Sequence, residues 1–249
     1  MVFSFCSAFV LAEPIDIFAP NLPSSCEVDG KGRDLEIVSA VLKHCGYQAK
    51  FTLLPFGRHV RNFEHGQMGD GVITVPASQA VEGFSSNPYI WYQNGVSYLE
   101  ANIPEPHSIE DLHGLRVMTF IGGTDVLDLN DSVDHFGDFS EHPNQRVHTA
   151  MLYYNRVDAV LSDGLIFSSI NTSLRQDERF SSRINMERNL KFAPIFEPTP
   201  FKAVFREEQL SADFNRCYRE LDEAGVVEAI NVKYVNPHRE MLEHGYLGF

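Results

Sequence analysis

Asp163 follows the apolar run at residues 157–161 and precedes Gly164, which puts a carboxylate at the carboxyl end of a strand. Such a group accepts charge-assisted hydrogen bonds from a cation or an N–H donor. The same Asp-Gly pair also makes a turn or a helix cap. Gly123 and Thr124 follow the apolar segment ending at Phe120 and open a helix. Their amides suit a carboxylate or other anion, alongside ordinary capping. Arg58 lies in the first turn of a helix that begins near Pro55. The helix dipole opposes a cation there by about 0.3–1 kcal/mol, which marks a place where an anion arrives, the alternative being a solvated arginine. Trp91, the one tryptophan, with Tyr89 and Tyr92, supplies apolar walls for a cleft or plain core. Thr74 and Ser78 flank the end of a short strand at 72–75. The ten histidines form no HExxH and the four cysteines no CxxC, so no metal site is expected. Asp163 has no evident acid or base partner, so no catalytic group is assigned.

These residues need elements to position them. Residues 15–19 read as a strand, followed by a Pro/Ser/Gly-rich loop to Gly32. Helix 34–44 carries Leu35, Val38, Val41, Leu42 and Cys45 on one face and stops at Gly46. A strand at 49–54, a helix with Phe56, Val60 and Phe63 inward, and the strand at 72–75 complete a first α/β unit. An extended stretch at 98–106 leads to a second unit: strand 116–120, helix 144–156 and strand 157–161. A second crossover at 193–200 returns the chain to strand 201–205 and a last long helix with Leu210, Phe214, Cys217, Tyr218 and Leu221 as its stripe. The expectation is α/β with parallel sheets in two lobes. Ligands of such sheets bind beyond the strands' carboxyl ends, here the loops after Val75, Phe120 and Leu161.

The chain has 249 residues, with Lys+Arg 20 against Asp+Glu 34 and a formal charge of −14. That balance argues against nucleic acid and anionic membrane surfaces as partners. Residues 1–12 are uncharged and apolar or small, then switch to Glu13-Pro14, and read as a secretory leader, although no basic residue precedes the run. Cys6 would leave with it. Cys26, Cys45 and Cys217 remain, with room for one disulfide whose pairing the sequence does not specify. Cys45 and Cys217 on apolar helix faces also suit small hydrophobes.

The order of motifs resembles the bacterial extracellular solute-binding proteins of family 3, the polar amino-acid type serving ABC transporters. Phe84-Ser85-Ser86-Asn87-Pro88-Tyr89 is similar to that family's FSxPY, and residues 109–117 to its I-x-D-L-x-G-x-x-V. Gly123-Thr124 is similar to its lobe-two GT turn, and Arg156-Val157-Asp158-Ala159-Val160 with Asp163 to its G-R-V-D-A-V-x-x-D. Phe214-Asn215, Leu221, Gly225, Ile230 and Tyr234 are similar to its closing helix. The resemblance implies a type II periplasmic binding-protein fold with a cleft between lobes, and a role for Asp163 in taking a ligand ammonium. It implies a periplasmic, monomeric, non-enzymatic protein without cofactor. Such a protein captures a small polar solute, an amino acid or a related compound, for an ABC transporter permease. Lobe one is expected at 13–101 and 199–249, lobe two at 102–198. The alternatives are an enzyme on the same fold, lyase- or dehydratase-like, and a soluble sensory module. One departure stands out: the family's carboxylate-clamping arginine is missing, since no Lys or Arg lies between Arg61 and Arg116. Pro23-Ser24-Ser25-Cys26 likewise stands where an aromatic is expected. The ligand-binding set is therefore Arg58, Thr74, Ser78, Trp91, Gly123, Thr124 and Asp163.

Overall fold

The structure, a computed structural model, describes residues 14–66, 68–185, 188–243 and 245–248. The leader reading of residues 1–12 lies outside them. The first lobe opens with β1 (Ile15–Pro20), α1 (Arg33–His44), β2 (Ala49–Leu54), α2 (Arg58–His65), β3 (Gly71–Pro76), β4 (Phe84–Ser85) and β5 (Ile90–Tyr92). The chain then crosses into β6 (Asn94–Leu99), β7 (Arg116–Phe120), α3 (Gly123–Val126), β8 (Asp138–His142) and α4 (Gln145–Tyr153). This second lobe continues through β9 (Ala159–Asp163), α5 (Gly164–Gln176), α6 (Glu178–Ser181) and β10 (Leu190–Ala193). Return is through β11 (Thr199–Phe205), α7 (Glu208–Glu223), α8 (Val226–Val235) and α9 (Arg239–Leu242).

Two mixed sheets result, ordered β2-β1-β3-β11-β4 with β5 on β11, and β10-β6-β9-β7-β8. The β2-β1-β3 and β9-β7-β8 ladders are parallel, as βαβ units require. The strands that carry the crossings, β6 and β11, run antiparallel to their neighbours, so neither sheet is parallel throughout. Burial explains which strands were legible. Edge strand β2 alternates, with Phe51 inward and Lys50 and Thr52 exposed, whereas central β3 is buried at all but its last residue.

The crossing falls earlier than the sequence reading placed it. Asn94 is already paired with Asp163, so β6 belongs to the second sheet, whereas the sequence pattern puts residues 94–101 in lobe one. Its residues Asn94, Gly95 and Ser97 lack an apolar signature because packing needs small groups there: a Cβ on Gly95 would stand 2.2 Å from the Ala193 carbonyl oxygen. The C-terminal end is also corrected. A 3₁₀ turn at Asn236–His238 redirects the chain, and Met241, Leu242 and Tyr246 pack with Leu99, Leu165 and Phe192 of the second lobe.

Where the two crossings meet, Gln93 Nε2 donates to the Phe196 carbonyl at 2.6 Å and Asn94 Nδ2 to Thr199 Oγ1 at 3.3 Å. Ile166, Ile170 and Leu174 of α5 join the first lobe's core around Leu22, Leu35 and Tyr92, so the lobes are closed on each other. Burying one such side chain contributes about 1.5–3 kcal/mol. Cys45, at the end of α1, and Cys217 of α7 form a disulfide with a Cα–Cα distance of 5.9 Å, leaving Cys26 free and buried.

Candidate functional site

A small cavity of about 40 Å³ lies between the lobes. Leu22, Phe56, Thr74, Tyr92 and Phe201 line it from the first lobe; Asn94, Phe120, Val126, Gln145, Asp163 and Ile166 from the second. Phe56 and Phe120 meet across the cleft edge to face, centroids 6.3 Å apart. Leu22, Phe56, Phe120 and Gln145 also line a wider space that adds Pro23, Asn144 and Arg146.

Asp163 ends β9 and caps α5. Its Oδ1 accepts from the Ile166 amide and its Oδ2 from the Tyr246 hydroxyl, each at 2.9 Å. A carboxylate offers about four acceptor positions, so about two remain. The residue is 4% exposed. Burial pushes its carboxyl up to about 6, while the Arg33 charge and the Ile166 and Tyr246 hydrogen bonds limit the rise. It is an anion at neutral pH.

Asp34, in the first turn of α1, organises the opposite wall. Its carboxylate accepts from the hydroxyls of Thr74, of Tyr89 at 2.5 Å and of Tyr92 at 3.3 Å. Burial raises its carboxyl, and those hydrogen bonds oppose the rise. Gly32, which precedes α1, has φ 127°, and a Cβ there would stand 2.2 Å from the Ser25 carbonyl oxygen, so only glycine lets the loop deliver Arg33 and Asp34 inward. Thr74 is held at φ 56°, a left-handed conformation that costs a β-branched residue about 1–3 kcal/mol. Three partners hold it there: its amide donates to Tyr89 Oη at 3.1 Å, its hydroxyl to Asp34, and its carbonyl accepts from His59 Nε2 at 3.4 Å.

Arg33 is fully buried. Its Nη2 donates to the Trp91 carbonyl at 2.8 Å, and the guanidinium lies 5.0 Å from the Tyr92 ring centroid and 5.6 Å from that of Tyr246. Cation–π attraction replaces the hydrogen bonds that its Nε and Nη1 lack.

The Gly123–Thr124 turn is already filled. The Glu141 carboxylate accepts from the Gly122 amide at 2.8 Å, the Thr124 amide at 2.9 Å and the Thr124 hydroxyl at 2.6 Å. Although burial works against it, these donors hold the Glu141 carboxyl below its usual range. Gly122 makes the turn at φ 79°.

The sequence-derived residues thus divide. Thr74 and Asp163 line the cavity; Gly123 and Thr124 do not, and the Gly122 and Thr124 amides donate to Glu141. Trp91 does not line it. Strand alternation turns Ile90 and Tyr92 inward and leaves Trp91 39% exposed, in an outer groove with Pro194 and Phe196. Arg58 is exposed and forms no ion pair or side-chain hydrogen bond among the described residues, because α2 turns His59, Val60 and Phe63 inward. Ser78 is exposed beyond Pro76, carried past the cavity by the Ala77 amide's bond to the Pro200 carbonyl. Sequence reasoning missed Arg33, Asp34, Glu141 and Tyr246. Acidic Asp34 just after Gly32 was a readable helix-start signal. Glu141 and Tyr246 had none, since each meets its partner only through the tertiary fold.

The architecture is that of two-lobe periplasmic binding proteins. It is similar to an ancestral arginine-binding protein bound to arginine, at TM-score 0.69 and 19% identity over 90% of this chain and 99% of that one. It is similar to a probable amino-acid ABC transporter extracellular-binding protein from Bacillus subtilis, at 0.67 and 19% over 89% and 97%. It is also similar to a histidine kinase sensor domain that itself resembles periplasmic binding proteins, at 0.68 and 17% over 89% and 96%. No protein-family model and no curated protein sequence matches the chain.

Proposed function

We propose that this chain is an exported solute-binding protein that captures a small solute by closing its lobes and passes it to an ABC transporter permease. It acts as a monomer without turnover or cofactor. The observation that carries this reading is the interlobe cavity with a buried carboxylate, Asp163, at its wall. Structural neighbours include a binding protein of an ABC transporter and a protein holding arginine. The Cys45–Cys217 disulfide fits an oxidising compartment. No helix among the described residues is long and apolar enough to cross a membrane. Among the described residues lining the cavity there is no histidine, cysteine or second carboxylate, which favours binding over acid–base chemistry. The moving bodies are the two sheets with their helices, hinged at Gln93 and at residues 194–198.

Native mass spectrometry of the purified chain should reveal a co-purifying small molecule. Small-angle scattering should show a smaller radius of gyration with that molecule than after its removal. An identical profile in both states rules out capture by closure.

A further inference from the structure

The end of α1 and the C-terminal half of α7 meet at the Cys45–Cys217 bridge, and two more side chains able to ligate a metal stand beside it. His44 ends α1, and Cys45 follows it. Cys217 and Glu220 are three residues apart and share one face of α7. One ligand atom from each of His44, Cys217 and Glu220 lies within 4.8 Å of the others, and His44 Nε2 is 2.8 Å from Glu220 Oε2. Tetrahedral zinc, with bonds of about 2.0–2.3 Å, sets its ligand atoms roughly 3.3–3.8 Å apart. His44 and Glu220 are exposed on their helix surfaces, so both can close the remaining gap without disturbing the core. Cys217 is buried and shields an ion on its side, whereas half-buried Cys45 leaves a path in from solvent.

With the bridge closed, neither sulfur is a thiolate, and one imidazole with one carboxylate is too small a set for structural zinc. Reduction changes the donor set. A dithiol attacks one sulfur, closes into its own disulfide and leaves two electrons and two protons on Cys45 and Cys217. Two thiolates, an imidazole and a carboxylate then form a borderline-soft set that suits zinc rather than magnesium or calcium, and binding releases both thiol protons. Arg216 supports the thiolates, since its Nη2 donates to Cys45 Sγ at 3.5 Å. Its Nη1 donates to Glu220 Oε1 at 3.2 Å, which leaves Oε2, now on His44, as the oxygen for the metal. We propose that reduction of the Cys45–Cys217 bridge opens a zinc site made of His44, Cys45, Cys217 and Glu220, so that a metal tie replaces the covalent one between α1 and α7. This site lies away from the interlobe cavity and does not depend on the solute-binding reading.

Zinc chloride titrated calorimetrically into the purified full chain tests it, in chelator-treated buffer with and without a water-soluble phosphine. The phosphine opens the bridge by taking oxygen from water as the two thiols form. The reduced chain should bind one equivalent of zinc at least a hundredfold more tightly than the oxidised chain. Cobalt in its place should show thiolate-to-metal charge transfer in the near ultraviolet and tetrahedral d–d bands in the visible. Zinc should also raise the melting temperature of the reduced chain, because it binds the folded form. His44→Ala and Glu220→Gln keep the bridge, and each should weaken zinc binding by the reduced chain at least tenfold. Equal zinc affinity in the two redox states, or reduced chain with cobalt but no charge-transfer band, overturns the proposal. Unchanged affinity in either variant overturns the four-ligand site. Where the metal-free reduced chain unfolds, zinc added before the phosphine should keep its circular dichroism native, and unfolding in the presence of zinc overturns the proposal as well.

Discussion

Asp163 carries the sharpest residue-level expectations, because capping, burial and cavity wall meet in one side chain. Asp163→Asn keeps an oxygen for the Ile166 amide, asparagine being as good a cap as aspartate. It removes the charge and turns the atom facing the Tyr246 hydroxyl from an acceptor into a donor. Affinity for a ligand that donates a charge-assisted hydrogen bond to this carboxylate should fall roughly ten- to a hundredfold, as loss of a bond of about 1.5–3 kcal/mol implies. Equal calorimetric affinity would return Asp163 to a purely capping role. The parent should show its own pH dependence: with the carboxyl pushed up to about 6 by burial, binding of a ligand held by this carboxylate should weaken as pH falls through 6, and Asp163→Asn should lack that step. Arg33 is the largest influence holding that carboxyl down, so Arg33→Met should move the step to higher pH. A step that stays in place in this variant would mean the two groups are not coupled. At this scale the sequence was half legible. Asp163, read at a strand end, and Thr74 both line the cavity. Arg58 and Trp91 lie outside that lining, because the face an element presents is decided by packing. Glu141 was beyond reach, since its meaning lies in a pairing with a turn 17 to 19 residues away.

Among the elements, those with strong periodicity were readable: α1, α2, α7 and the central strands β1, β3 and β7 all lie where their apolar patterns place them. Strands β6, β8 and β10 were not. β6 is buried throughout and mixes Asn94, Gly95 and Ser97 with Val96, Tyr98 and Leu99, and β8 is an edge strand with four half-buried positions and no contrast between its faces. The pairing of Cys45 with Cys217 was equally hidden, because both cysteines sat on apolar faces where either a thiol or a disulfide fits. That disulfide ties the end of α1, whose beginning delivers Arg33 and Asp34, to α7 across 172 residues of sequence. Closing so long a loop in the unfolded chain should contribute about 2–5 kcal/mol. The double variant Cys45→Ala/Cys217→Ala should therefore melt roughly 4–20 °C below the parent by calorimetry. Reducing agent should bring the parent down to the variant's temperature and leave the variant unmoved. A parent insensitive to reductant would show that the bridge contributes nothing.

The whole molecule joins two lobes, and each buries a neutral histidine. His59 of α2 sits under Thr74 in the first, and His148 of α4 donates to the His142 carbonyl at 3.0 Å in the second. Burial lowers each from 6.5 to about 4, and neither Nδ1 has a partner that would favour a charged ring. In the unfolded chain both rings take up protons near 6.5, but in the folded chain not until about 4. Between those values the unfolded state binds more protons, so stability is intact above 6.5 and is lost as pH falls through 4. The gap is worth about 3 kcal/mol for each histidine. Asp163 works in the opposite direction. Its folded value of about 6 lies above the ordinary 3.8, so its contribution is full below 3.8 and lost as pH rises through 6. That offsets about one histidine, and Asp34, whose carboxyl burial also raises, offsets part of the other, leaving a small net decline between pH 6.5 and 4. Denaturant unfolding at pH 7, 6, 5 and 4 should record that decline. His59→Gln and His148→Gln should each flatten it, and the double variant should invert it, because Asp163 then acts unopposed by either ring. Because the lobes share a core through α5, a histidine in either lobe should act on one common transition rather than on a separate one. A double variant with the parent's slope would show that acid sensitivity arises elsewhere in the molecule, and separate transitions for the two single variants would show that the shared core does not couple the lobes.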